Sequence, residues 1–224
     1  MKILDDGVRT AITDFCMIFS KRLQGLRRYS ECLELAGNQL PQLLLDRSLM
    51  TTLVEHIAAG ADYPDVRVPT LFDNELLLYQ EQSRLFSLRM YLWGPGEYTA
   101  PHDHNSWGVI GTVTAGFEVI NYRREDDGSR EGYARLAAQP AIQLQAGQTA
   151  STLPLNDGIH KTGNPGGETI ITLSIYGRPL SRGYLQGFNV ATARVYRILS
   201  PKRKKIALAC QALQGLERAE GSRG

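Results

Sequence analysis

Apolar residues recur at three- and four-residue steps near the start of the chain, then give way to strict alternation. Val8, Ile12, Phe15, Phe19 and Leu23 form a one-sided stripe, which predicts an amphipathic helix. Similar patterns over 29–35 and 48–59 predict two more helices, the second ended by Gly60. From Val66 the pattern is that of short strands. Phe86, Leu88, Met90 and Leu92 alternate with Ser87, Arg89, Tyr91 and Trp93, a period of two. Segments 109–113 and 117–122 flank Thr114-Ala115-Gly116 and read as a hairpin, and 125–129 reads as a turn. Further strands are expected over 133–137, 141–144, 170–176 and 188–196. Many short strands punctuated by Gly and Pro predict a β-sandwich or small barrel. The helices should cover one side or end of it. Ile206, Ala209, Leu213 and Leu216 suggest a closing C-terminal helix, with 220–224 as a fraying tail.

Composition narrows the function classes. A length of 224 residues fits one domain with a substantial core. A net charge of +2 is too mild to imply a nucleic-acid partner, and the one basic run, 201–205, reads as a solvated helix start. The first ten residues lack an apolar secretory core, and no apolar run is long enough to span a bilayer, so no membrane partner is expected. Cys16, Cys32 and Cys210 are odd in number and lack ligand-like spacing, as expected of reduced thiols in a cytoplasmic protein.

The candidate chemistry lies in two segments punctuated by Gly and Pro. His102 and His104 are one residue apart, so on extended backbone both imidazoles face the same side and can share a metal ion. His160 sits in a second such segment, NDGIHKTGNPGG. His56, the remaining histidine of four, falls alone in the third predicted helix and reads as structural or surface. Imidazole donors suit iron, zinc and copper alike, so the pattern itself allows an oxygenase, a zinc hydrolytic site or a metal-binding protein without turnover.

The motifs also resemble a known superfamily. Gly96, His102-x-His104 and Gly116 are similar to the first cupin motif, and Pro154, Gly158, His160 and Asn164 to the second. Gly108 and Val109 stand where most cupins carry a glutamate ligand, a departure shared by the cysteine dioxygenase type thiol dioxygenases. WGPG (93–96), PHDH (101–104), Trp107, Ile159-His160, NPG (164–166) and Tyr176-Gly177 most resemble the bacterial 3-mercaptopropionate dioxygenase branch. The resemblance covers about 76–179. It implies a cupin double-stranded β-helix, or jelly roll, over 63–199, with a helical cap at 1–62 and a helix and tail at 200–224. It further implies Fe(II) held by His102, His104 and His160, and oxidation of a small-molecule thiol by O2 to a sulfinic acid. Three neutral imidazoles leave the full charge of the ion in place and favour an anionic donor such as a thiolate. No organic cofactor is implied.

Strand 170–176 supplies the expected supporting residues, with Thr172, Ser174 and Tyr176 on one face. Relatives carry Ser-x-His-x-Tyr there as a hydrogen-bonded relay; here the imidazole is replaced by Ser174, which cannot titrate near neutral pH. The mammalian-type cysteine–tyrosine thioether is not expected, because Gly108 occupies the cysteine's place. Trp107 reads either as a pocket wall or as core, and Asp103 should face away from the metal. Where relatives hold the substrate carboxylate with Arg or Gln, this chain carries Glu75, which would disfavour carboxylated thiols. Asn74, Gln80, Arg89 or Arg178 are the alternatives for that role. A non-thiol oxygenase and a regulatory, non-catalytic cupin remain the rival functions.

Overall fold

Helices α1 (Gly7–Leu23), α2 (Tyr29–Leu44) and α3 (Arg47–Ala58) come first. The structure, a computed structural model, describes residues 7–221, with side chains through residue 214. The first helix buries the expected stripe, Val8, Ile12, Phe19 and Leu23. The second runs nine residues beyond the sequence estimate and carries Pro41 inside it. Proline removes one backbone donor there, but Leu40, Leu43 and Leu44 are buried against the barrel, and that packing overrides the local signal.

The strands are β1 (Glu75–Gln80), β2 (Phe86–Trp93), β3 (Gly108–Thr112), β4 (Phe117–Arg124), β5 (Leu136–Ala138) and β6 (Ile142–Leu144). They continue with β7 (Thr149–Thr152), β8 (His160–Gly163), β9 (Ile170–Gly177), β10 (Leu185–Asn189) and β11 (Arg194–Ile198). One antiparallel sheet has the order β1-β2-β9-β3-β7. The facing sheet is centred on β4, paired with β5, β6 and β8. Segment 96–103 extends it, bonding to β8 through His102 N–H to His160 O (2.9 Å) and to β10 through Asp103 N–H to Gln186 O (3.0 Å). This is the two-sheet jelly roll with a helical cap that the sequence led us to expect.

Alternation divides the core. Phe86, Leu88 and Met90 of β2 and Leu173 and Ile175 of β9 point outward, where they pack under the three helices. Tyr91, Trp93 and Ile170 point inward and meet Phe117, Val119 and Leu144 of the facing sheet. Trp107 belongs to the helix-side core, which settles its two readings in favour of packing.

Three local expectations are corrected. Strands β3 and β4 do not form a hairpin: β3 pairs with β7 and β9, and β4 with β5, β6 and β8. The Thr114–Gly116 turn is a corner between sheets, a choice that turn chemistry alone does not encode. Segment 188–196 is not one strand but the β10–β11 hairpin, turned through Ala193 at φ 55°. Helix α4 (Pro201–Gly221) forms but does not close the barrel, for Ile206, Leu208 and Leu213 are each more than half exposed. Its amphipathic spacing permits docking but names no surface. Leu216 of the expected stripe falls outside the described side chains, and residues 222–224 of the tail lie outside the described residues. No helix is long and apolar enough to cross a membrane among the described residues. Cys16 and Cys32 are buried free thiols, and Cys210 is an exposed one.

Candidate metal centre

His102 and His104 lie on extended backbone after Pro101, and His160 opens β8 directly across from His102. The main-chain pair between His102 and His160, bonded both ways at 2.9 and 3.0 Å, sets the two histidines side by side. Ring centroids are 5.0 Å apart for His102–His104, 5.0 Å for His102–His160 and 4.6 Å for His104–His160. One nitrogen from each ring lies within 4.8 Å of the others, and all three residues are buried. The period-two expectation holds, with Asp103 turned to the opposite side.

The donor chemistry fits a metal ion. His102 Nδ1 lies 2.9 Å from the Ala100 carbonyl, which accepts its proton and leaves Nε2 as the lone pair facing the cluster. His104 Nε2 and His160 Nε2 approach to 2.8 Å, so two ring nitrogens compete for one proton where a shared cation would satisfy both. Burial, chiefly, pushes the pKa of each imidazole down; His160 and His102 add to the effect at His104, and His102 adds to it at His160. The rings are therefore neutral and ready to coordinate at neutral pH.

A pH dependence follows. A histidine with a depressed folded pKa contributes nothing adverse above its ordinary value of 6.5 and costs stability as pH falls below it. The unfolded chain then takes up protons that the folded one refuses. The stability of metal-free protein, and with it the melting temperature, should fall as pH drops from 6.5 towards 5, with a limiting slope of about 1.4 kcal/mol per pH unit for each group that stays neutral in the fold. A flat or rising melting profile over that window would contradict neutral, buried rings.

Asp103 is fully buried and receives both terminal nitrogens of Arg182, at 2.8 and 2.7 Å, plus the Gln186 N–H at 2.7 Å. Asn105 receives Arg182 Nε at 2.8 Å and donates to the carbonyls of Arg182 and Tyr184. Thus the residues on either side of His104 tie its backbone to the 179–185 segment, which also walls the cavity.

That cavity, of about 360 Å³, reaches the cluster through His104 and Tyr176 and runs along the inner face of β2 past Tyr91, Arg89 and Ser87. Tyr176 stacks on His104, with centroids 5.6 Å apart and planes 20° off parallel. Gly108 sits opposite it on β3, and a Cβ there would come within 2.6 Å of the Tyr176 ring. Of the three residues expected from β9, Tyr176 alone lines the cavity. Thr172 Oγ1 accepts the Trp93 Nε1–H at 3.0 Å, and Ser174 Oγ is buried with no well-formed hydrogen bond. Burial pushes the pKa of Tyr176 up, while Tyr91 and Ser174 hydroxyls pull against it, so the phenol is a neutral donor. Burial likewise raises Tyr91 well above the ordinary phenol value.

Glu75 lines the cavity, as its expected place near the substrate requires, but it is a buried, paired carboxylate rather than the free anion that would disfavour carboxylated thiols. It hydrogen-bonds the Leu71 and Phe72 N–H groups at 3.1 and 3.2 Å and forms an ion pair with Arg89. Burial opposes the charge on Arg89, but Glu75, Tyr91 and Tyr176 outweigh it and raise its pKa. Arg89 Nε donates to Ser87 Oγ at 3.1 Å; its Nη2 has no hydrogen-bond partner among the described residues. Of the alternatives named for the carboxylate role, Arg89 and Gln80 line the cavity and Asn74 and Arg178 do not. Tyr91 was missed as a site residue, although its alternation with Leu88 and Met90 placed it inward. His56 is buried in α3 with Nδ1 at 3.0 Å from the Tyr63 carbonyl, outside the cluster.

No family model matches the sequence. Among solved structures, a cupin 2 conserved barrel domain protein from Rhodopseudomonas palustris is similar over 52% of this chain and 67% of its own, at 12% identity and TM-score 0.39. One from Salinispora arenicola is similar over 49% of this chain and 81% of its own, at 16% identity and TM-score 0.34. A cupin domain from Bordetella pertussis is similar over 49% and 91%, at 16% identity and TM-score 0.33.

Proposed function

We propose that this protein is a cytoplasmic, iron-dependent thiol dioxygenase of the cupin superfamily. It converts a small thiol and O2 to a sulfinic acid. The observation that carries this reading is the donor set: three neutral imidazoles, no carboxylate among the clustered ligands, and one side open to a cavity where Tyr176 stacks on His104. When bound, Fe(II) would supply an electrophilic, redox-active centre able to bring thiolate and O2 together. The reaction balances without a further reductant. Both oxygen atoms go to sulfur, which gives up four electrons, and the acid then releases its proton to water.

The chain's own residues do the rest. Buried side chains keep bulk water from the cluster. The Tyr176 hydroxyl, neutral and flanked by Tyr91, donates a hydrogen bond to the developing negative charge on sulfur or oxygen. Arg89, braced by Glu75, turns its remaining edge to the carboxylate of the thiol.

One observation favours a second reading, an oxygenase of a non-thiol substrate: position 174 of β9, where the relay would place an imidazole, carries Ser174, and the one imidazole stacked on Tyr176, that of His104, belongs to the metal cluster. Oxygen uptake by Fe(II)-reconstituted protein against thiols and non-thiols decides between them. Uptake with thiols and a sulfinate product is expected. Uptake only with non-thiols would establish the second reading, and ligand binding without uptake would make the protein a regulatory module.

A further inference from the structure

The cavity does not end at Arg89. It continues along the inner face of β2 to the β1–β2 turn, where Gln80 and Arg84 complete the lining. Two residues of strand advance about 7 Å, so Arg89, Ser87 and the turn follow one another along β2, with Ser87 level with Tyr176 in the register. The cavity volume, about 360 Å³, falls in the range of roughly 300–1,000 Å³ that holds ligands larger than a three-carbon acid.

Arg84 is an unusual residue for its place. Its φ of 59° is in the left-handed region, which a β-carbon disfavours and where glycine or asparagine is the ordinary choice. The turn does not need its side chain. Glu81, the acidic group of that turn, is satisfied by Ser83 Oγ at 2.6 Å and the Leu85 N–H at 3.0 Å. The Arg84 guanidinium makes no hydrogen bond or ion pair to the protein among the described residues. Deeper in the cavity, the Glu75 carboxylate is closed off by Arg89 and two backbone N–H groups. Glu75 also lines the cavity, but its charge is paired with Arg89; the cations facing a ligand are Arg89, half-buried, and Arg84, exposed at the turn.

We propose that the cavity binds a thiol with two anionic groups: a carboxylate next to the sulfur-bearing carbon at Arg89, and a second anion several bonds away at Arg84. Leu71, Pro179 and Leu185 provide apolar wall for the methylenes between them. The thiol end of this assignment rests on the dioxygenase reading; the two-anion site rests on the arginines alone.

Calorimetric titration of the full-length protein with thiol-free probes separates the two. Glutarate, adipate and pimelate are each compared with the straight-chain monocarboxylate of the same carbon number. At least one diacid should bind ten-fold or more tightly than its monoacid. Arg84→Gln should abolish that preference and leave monoacid affinity within two-fold, whereas Arg89→Gln should weaken both. Equal binding of diacids and monoacids across the series would overturn the proposal, as would a diacid preference that survives Arg84→Gln. A diacid preference without oxygen uptake from any thiol diacid would support the two-anion site and overturn the thiol reading.

Discussion

Alanine at His102, His104 or His160 is expected to lower iron affinity by at least about 100-fold and to abolish turnover. Loss of a group that merely orients a metal ligand already reduces affinity by roughly 10- to 100-fold, and here one of three protein donors disappears. The remaining two neutral imidazoles bring no charge to hold the ion. The three variants should also differ in detail. His102 is oriented through the Ala100 carbonyl and His104 through its stack with Tyr176, so each substitution frees a different part of the site. Metal content after reconstitution, measured with oxygen uptake, checks this. His56→Ala is the control: it is buried in α3 away from the cluster and should keep full iron content. Full metal content in any of the three ligand variants would remove that histidine from the site.

Tyr176→Phe is expected to slow turnover by about 10- to 100-fold while folding and iron content survive. The ring, its stack on His104 and its contact with Gly108 are all retained. Only the hydroxyl is lost, and a hydrogen bond to a charged group contributes roughly 1.5–3 kcal/mol. Burial keeps that hydroxyl protonated, so it acts as a donor across the neutral pH range. Steady-state kinetics with the best thiol of the uptake panel would measure the effect. An unchanged turnover number would assign Tyr176 to packing alone.

Much of this architecture is legible one residue at a time. On β2 and β9 the alternation assigns Phe86, Leu88, Leu173 and Ile175 to the helix-covered face and Tyr91, Trp93 and Tyr176 to the interior. Period-two geometry requires nothing beyond extended backbone, and the structure obeys it. The same rule applied to His102 and His104 correctly sends Asp103 to the other side, where Arg182 meets it. What alternation does not supply is a partner. Arg182 lies 79 positions from Asp103, and no local pattern links them.

The sequence by itself determined the first three helices, the strands around 86–93, 109–113, 117–122 and 170–176, the faces of their residues and the pairing of His102 with His104 on one side, because these follow from spacing along the backbone. The short strands β1, β7 and β8 carry no such pattern. Tertiary structure alone decided which strands adjoin, and with that the character of the pocket. The Thr114–Gly116 turn reads locally as a hairpin yet joins two sheets, since the partners of β3 and β4 are set by packing elsewhere. Helix α4 has an apolar stripe that no surface among the described residues covers, because periodicity gives a face without an address. Glu75 shows the consequence most plainly. Alone in the sequence it is an anion aimed at a substrate. In the fold, a register shift between Leu77 and Tyr79 aligns Glu75 with Tyr91 and Leu77 with Arg89. Arg89 is then the diagonal neighbour of Glu75 on the inner face, within reach of a long side chain. Their pairing replaces a repelling charge with a braced cation, and that change arises from the contact between two strands rather than from either one.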